Sequence, residues 1–294
     1  KKAMTQIFVV IATLTMFSMT ALNSFAQNLE FPEISQEMLN AKSNFALQQD
    51  VAFELKQLLE FFDLNNPQDV ITADLDGDGD MDVVTASSFD DKIAWYENTD
   101  GQGSFSAQKV ISTEADAALS VFAGDIDGDG DLDILSASLN DDKIAWYENT
   151  DGLGSFSAQK IISTDADRAV SVIAGDLDGD GDLDVLSASI DDDKIAWYEN
   201  TDGLGSFSTQ KIISTDTDEP VSVFAGDLDG DGDLDVLSAS QIDDKIAWYE
   251  NTDGLGSFSA QKIISTNANG AAEVIAGDLD GDGDLDVLSA SFND

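Results

Sequence analysis

An acidic nonapeptide begins at Asp74 and returns at Asp125, Asp176, Asp227 and Asp278, so that every interval is 51 residues. The segment Lys-Ile-Ala-Trp-Tyr-Glu-Asn begins at Lys92, Lys143, Lys194 and Lys245 and keeps the same period. Self-similarity at a fixed spacing of this size marks a repeat architecture, in which one unit cannot bury its apolar face alone and must stack on its neighbours. Four full units are present, and the fifth stops at Asp294, just after its second expected strand. The first residue is not Met, so more chain is expected at both ends.

The third unit shows the local plan. Ala169 to Ala174 reads as a short strand, the acidic loop follows at Asp176 to Asp184, and Val185 to Ser189 reads as a second strand. Asp191 to Asp193 is a turn, Lys194 to Glu199 a third strand, Asn200 to Gly205 a glycine turn, and Gln210 to Ser214 a fourth strand. Four short strands per unit with polar turns between them predict an all-β fold, a β-propeller of four-stranded blades, over residues 70–294. Helical repeats fit poorly, because the Gly-free run Ser155 to Ala174 is rich in Ser, Thr, Ile and Val and is split by Asp165 and Asp167. Along the third strand Ile195, Trp197 and Glu199 face one way and Ala196 and Tyr198 the other. Blade sheets are covered on both sides, so Trp95, Trp146, Trp197 and Trp248 are expected in the core between blades. The alternative is a sugar-stacking platform repeated once per blade.

Charge decides which partners are possible. The 294 residues include 59 Asp and Glu against 13 Lys and Arg, a net charge of −46. Such a chain repels itself when compact unless something neutralises it, and it has nothing to offer a nucleic acid. Disorder does not follow, because 42% of the residues are hydrophobic and can build a core. Cys and His are both absent, which removes disulfides, thiolate and imidazole catalysis, and the usual zinc and haem ligands. Any metal site must be made of oxygen.

The amino end differs from the repeats. Lys1 and Lys2 precede an apolar run from Ile7 to Phe17, and Ser24 and Ala26 supply small residues, which predicts a secretory signal peptide over residues 1–26. Thr13, Thr15, Ser18 and Thr20 interrupt the run, so a stable membrane span is not expected after cleavage. The mature protein is expected to be secreted or held at the cell surface. Within residues 27–69, Leu47, Val51, Leu55, Leu58 and Phe62 form the stripe of an amphipathic helix, ended by Asn65-Asn66-Pro67. This segment reads as a helical leader or linker.

The acidic loop carries the chemistry. Its acids are Asp74, Asp76, Asp78, Asp80 and Asp82 in the first unit, and Asp125, Asp127, Asp129, Asp131 and Asp133 in the second. They are Asp176, Asp178, Asp180, Asp182 and Asp184 in the third, and Asp227, Asp229, Asp231, Asp233 and Asp235 in the fourth. The fifth unit has Asp278, Asp280, Asp282, Asp284 and Asp286. Carboxylates at positions 1, 3 and 5 converge only if the chain turns sharply, which the Gly at position 6 allows. The position 7 carbonyl then adds a ligand and position 9 closes the site. A hard cation with six to eight oxygen ligands suits this donor set, and Ca²⁺, about one per loop, suits it better than Mg²⁺. An EF-hand would need Glu at position 12 and flanking helices, whereas position 12 is Thr85, Ser136, Ser187, Ser238 or Ser289 and the flanks are strand-like.

The Asp-x-Asp-Gly-Asp-Gly-x-x-Asp loop between two strands resembles the calcium loop of FG-GAP and VCBS repeats, found in integrin α-chain propellers and many exported bacterial proteins. The resemblance spans residues 70–294. It implies side-chain ligands at positions 1, 3, 5 and 9 and a carbonyl ligand at position 7, carried here by the matching Asp residues of all five loops. Ser-Ala-Ser, for example Ser136 to Ser138, stands where integrins have Gly-Ala-Pro, so the bacterial branch is nearer. Family propellers usually have seven blades, which implies missing chain or closure by other means.

Two functions remain in view at this point. One is a non-enzymatic scaffold whose repeated rim binds an unknown protein or glycan, with multivalency multiplying weak contacts. The other is a carboxylate-based glycoside hydrolase or lyase, or an accessory domain beside one, with Glu97, Glu148, Glu199 and Glu250 as the regularly placed acids outside the loops. An active site needs unlike residues at one point, and these units offer the same residues each time. No catalytic residue and no organic cofactor is expected.

Overall fold

Each unit turns its chain three times, because runs of β-branched and aromatic residues alternate with Asp, Asn and Gly that leave the β region readily. In a computed structural model, which describes residues 65–293, the first unit folds as β1 (Pro67–Ala73), β2 (Asp82–Ser87), β3 (Lys92–Tyr96) and β4 (Lys109–Ser112). These pair antiparallel in chain order, with Val84 opposite both Ile71 and Trp95, and Trp95 opposite Lys109. With strands numbered β1 to β18 along the chain, the second, third and fourth units open on β5 (Ala118–Gly124), β9 (Ala169–Gly175) and β13 (Pro220–Gly226). Each forms its own four-stranded sheet, while the fifth has only β17 (Ala271–Gly277) and β18 (Asp286–Ser291).

The described residues are all-β and contain no helix. The inner strands β1, β5, β9, β13 and β17 pack in succession, as in a propeller. Among the described residues no sheet joins the first blade to the last, and their array is open. In the third unit the four strands lie at 169–175, 184–189, 194–198 and 211–214, within one residue at each end of the expected spans. β1 starts at Pro67, three residues ahead of the start read for the repeats, and Asn66 just before it takes a positive φ of 65°. The expected signal peptide and the stripe from Leu47 to Phe62 lie outside the described residues.

The core lies between blades. The second strand of units two to four is buried at every position, so both of its faces are covered. The small residues of Ser-Ala-Ser let neighbouring sheets approach there. Trp95, Trp146 and Trp197 are at most 2% exposed. Each is capped by the glycine turn of the following blade: a Cβ on Gly154, Gly205 or Gly256 would sit inside the ring of Trp95, Trp146 or Trp197 respectively. These three are interblade core, and the sugar-platform reading fails for them because no ring face is left open. Trp248 is only half-buried.

Polar links register one blade on the next. Asp91 sits at φ 54° in the turn between β2 and β3, and its Oδ1 accepts from Ala117 N at 2.9 Å, just before β5. Asp142, Asp193 and Asp244 do the same for Arg168, Glu219 and Gly270. A short Asp side chain tolerates the left-handed conformation and pairs a backbone N–H at the entry to the next blade.

Candidate metal centre

The acidic loop joins the first and second strands of each blade, and backbone geometry folds it onto its own carboxylates. In the first loop Gly79 N donates to Asp74 Oδ2 at 3.0 Å, Asp80 N to Asp78 Oδ1 at 2.9 Å, and Leu75 N to Asp82 Oδ2 at 3.0 Å. Gly79, at position 6, takes φ 94°, which a side chain would resist, and this bend brings position 1 back toward position 9. Asp82 is buried, and its other oxygen accepts from Asn98 N at 2.8 Å.

The result is a set of converging oxygens. One carboxylate oxygen each from Asp74, Asp76 and Asp82 lies within 4.8 Å of the others. The same holds for Asp125, Asp127 and Asp133, for Asp176, Asp178 and Asp184, and for Asp227, Asp229 and Asp235. In the fifth loop the converging group is Asp278, Asp280 and Asp282 instead. Positions 1, 3 and 9 therefore meet in four loops, and position 5 joins only in the last. In every loop position 5 accepts from the position 7 amide, as Asp129 does from Asp131 at 2.9 Å and Asp282 from Asp284 at 3.0 Å. The position 7 carboxylates of Asp80, Asp131, Asp182 and Asp233 pack against Gly101, Gly152, Gly203 and Gly254 of their own blades, where any Cβ would clash.

Two observations test whether a cation fits. Oδ1 atoms of Asp74, Asp125, Asp127 and Asp178 are buried and make no hydrogen bond. Buried oxygens without partners are costly, and here they sit in the converging groups. The carboxyls are also hard to ionise in company. Burial, then the neighbouring Asp78, Asp129 or Asp180, raises Asp76, Asp127 and Asp178 above the ordinary Asp range. Burial pushes Asp133 and Asp184 up to about 7, against the opposing hydrogen bonds from Asn149 and Ile126, and from Asn200 and Leu177. A hard divalent cation at the centre fits these donors: it would be held by positions 1, 3 and 9 and would favour their ionised forms.

The repeats also match a known sequence pattern. The FG-GAP-like repeat matches residues 74–136, 125–187, 177–238 and 227–289, well over half the chain. The chain belongs to this family. No curated protein sequence matches it. Among solved structures, a functionally unknown protein from Desulfotomaculum acetoxidans aligns at a TM-score of 0.51 with 14% identity, over 76% of this chain and 63% of that one. That likeness shows the fold alone. The Vibrio cholerae biofilm matrix protein Bap1 aligns at 0.44 with 21% identity, over 77% of this chain and 34% of that one. An auxiliary nutrient binding protein from Bacteroides ovatus aligns at 0.49 with 13% identity, over 72% and 54%. This FG-GAP-like chain thus spans between one third and just under two thirds of the structures it resembles.

Sequence reasoning missed the Asn that ends each Lys-Ile-Ala-Trp-Tyr-Glu-Asn segment. Asn149 N donates to Asp133 Oδ1 at 2.8 Å, and its side chain reaches Leu75 O of the previous blade at 2.8 Å. Its fixed 51-residue recurrence was the available signal. The regularly placed acids have a local role: Glu97, Glu148, Glu199 and Glu250 each pair with a Lys of the fourth strand, at 2.5–2.6 Å. That Lys lies about 4 Å over the Trp ring of the same blade.

Proposed function

We propose that this FG-GAP-like chain is a calcium-stabilised, non-enzymatic scaffold, secreted or displayed at the cell surface, whose repeated rim binds a protein or glycan ligand. The observation that carries this reading is the recurrence of a convergent carboxylate group in every described blade, with buried oxygens that lack any partner in the first three. Calcium supplies charge neutralisation there and ties the two inner strands of a blade together. Five ions would add ten positive charges and move −46 to −36. Units that differ so little favour multivalent contact over catalysis. The Lys-paired Glu residues are poor acid–base candidates, because each already has its countercharge. Among the described residues no helix is long and apolar enough to cross a membrane.

Calcium counting and melting test the reading together. Calorimetric titration is expected to approach one ion per intact loop, and excess chelator to lower Tm by many degrees. A ligand present at about 100 times its Kd adds about 2.7 kcal/mol per site. A melt that chelator leaves unchanged sinks the metal reading. Glycan and surface-protein arrays probed with the calcium-loaded chain test the rim; silence on both, with turnover of a polysaccharide, would move the reading to the enzyme class.

A further inference from the structure

The metal loops of successive blades are wired to one another. Asn149 is fully buried, and its backbone N–H holds Asp133, the position 9 acid of the second loop. Its side-chain Oδ1 accepts from Gly154 N at 3.1 Å, which fixes the amide plane. Its Nδ2 then donates to the carbonyl of Leu75, between Asp74 and Asp76 of the first loop, at 2.8 Å. Asn200 links Asp184 to Ile126 O, and Asn251 links Asp235 to Leu177 O, each side-chain bond again 2.8 Å. Asn98, which has no described blade before it, reaches only Met81 O of its own loop at 3.3 Å.

A second contact runs beside the first. The carbonyls of Gly152, Gly203 and Gly254 lie against Gly77, Gly128 and Gly179, at position 4 of the preceding loop. Between the third and fourth loops a cleft of about 280 Å³ has Asp176, Asp233, Asn251 and Gly254 in its walls. A loop that rearranges around an ion therefore moves the groups that brace the loop before it. Ordering one loop also lowers the entropy lost in ordering the next.

We propose that Asn149, Asn200 and Asn251 couple consecutive metal loops in series, so that filling one loop raises the affinity of the preceding loop, and by linkage the reverse. This rests on the reading of the loops as calcium sites. Asn is the positioning residue: it touches a ligand carboxylate through its backbone and the neighbouring loop through its side chain, and never the ion itself.

Glycine amides at position 6 report each loop separately, because Gly130 N donates to Asp125 Oδ2 and Gly181 N to Asp176 Oδ2. In the full chain labelled with ¹⁵N-glycine and titrated with CaCl₂, Asp178→Asn disables the third loop with little change of shape. It is expected to raise the calcium midpoint of Gly130 about fivefold or more. In an Asn200→Ala background, D178N is expected to leave that midpoint where N200A alone has put it. A Gly130 midpoint that D178N does not move overturns the coupling while the calcium sites stand. No calcium-dependent shift of any loop glycine in the unsubstituted chain would instead strike the metal reading itself. If D178N unfolds its blade, N200A carries the test, since it alters no carboxylate and leaves Asn149 in place. It must raise the Gly130 midpoint, and an unchanged midpoint overturns the proposal.

Discussion

The first three acidic loops and the last two have nearly the same sequence and very different surroundings. Leu75, Ile126 and Leu177, at position 2 of loops one to three, are at most 1% exposed, whereas Leu228 is partly exposed and Leu279 is 62% exposed. The strand after the loop changes one unit later: Asp-Val-Leu-Ser-Ala-Ser is still wholly buried in the fourth blade (Asp235–Ser240) and is largely open only in β18. Identical residues thus take opposite environments according to how much of a following blade covers them: β17 alone suffices for the fourth blade's second strand, and no described strand covers β18. Burial here is a property of the junction, supplied by the next unit's glycine turn and Asn, and the blade by itself provides only half of it.

The tryptophans give the largest expected contrast. Trp146 packs under Gly205 of the next blade, while Trp248 is half-buried with the same local sequence. Trp146→Ala should cost about 3–5 kcal/mol, as large-to-small changes in a core do, and Trp248→Ala on the order of half that or less. Denaturant unfolding of the two variants measures both. Equal losses would mean that the Trp is stabilised by its own blade, which would break the contrast between junction and blade.

Acidity should divide the molecule next. In metal-free protein Asp133 and Asp184 hold their protons up to about pH 7 through burial, well above the ordinary Asp value. Between about pH 4 and 7 the folded chain then binds more protons than the unfolded chain, so stability falls as pH rises. With calcium bound the sign reverses, because protons compete with the ion for the same oxygens. Melts in chelator should fall from pH 4.5 to 7, and melts in calcium should rise. Asp184→Asn should raise the metal-free Tm at pH 7 and lower the calcium-loaded one. Parallel pH profiles in the two conditions would remove these acids from the metal site.

A smaller effect isolates the junction from backbone strain. Gly103 and Gly154 occupy the same turn position, at φ 87° and 80°, but only Gly154 meets a Trp from a preceding blade. Nothing lies within 4 Å of a Cβ built on Gly103. Gly103→Ala should therefore cost about 1–2 kcal/mol for the left-handed conformation alone. Gly154→Ala adds overpacking against Trp95, about 1–3 kcal/mol more. Matching values would place the whole cost in the backbone and none in the junction.

These contrasts also mark what could be read from the chain itself. The 51-residue period, the strand bounds of the third unit and the loops were legible, because strand and turn chemistry is local and was repeated up to five times. Convergence of positions 1, 3 and 9 was legible in part, since spacing shows which carboxylates can meet but not that Asp78 would turn to its own backbone. The contacts of Asn149 with Leu75 and of Gly154 with Trp95 were not legible. They join residues 74 and 59 positions apart, and nothing in one unit reveals which neighbour it will touch or on which face. Recurrence flagged Asn149 as constrained, yet the same recurrence fits a turn residue that serves only its own blade.

The smallest effect is expected where neighbours should not matter. Lys160 lies 4.0 Å over the Trp146 ring and pairs with Glu148 at 2.5 Å, and Lys262 does the same with Trp248 and Glu250. Both lysines are about 40% exposed, and all the partners lie within one blade. Lys160→Met and Lys262→Met keep the apolar stem and remove the charge, so each should cost about 0.5–1 kcal/mol. The two losses should agree within error although the Trp residues beneath them differ in burial. If K160M costs clearly more, the following blade must also desolvate the Lys–Glu pair, and the boundary between blade and junction would have to be drawn one strand further out.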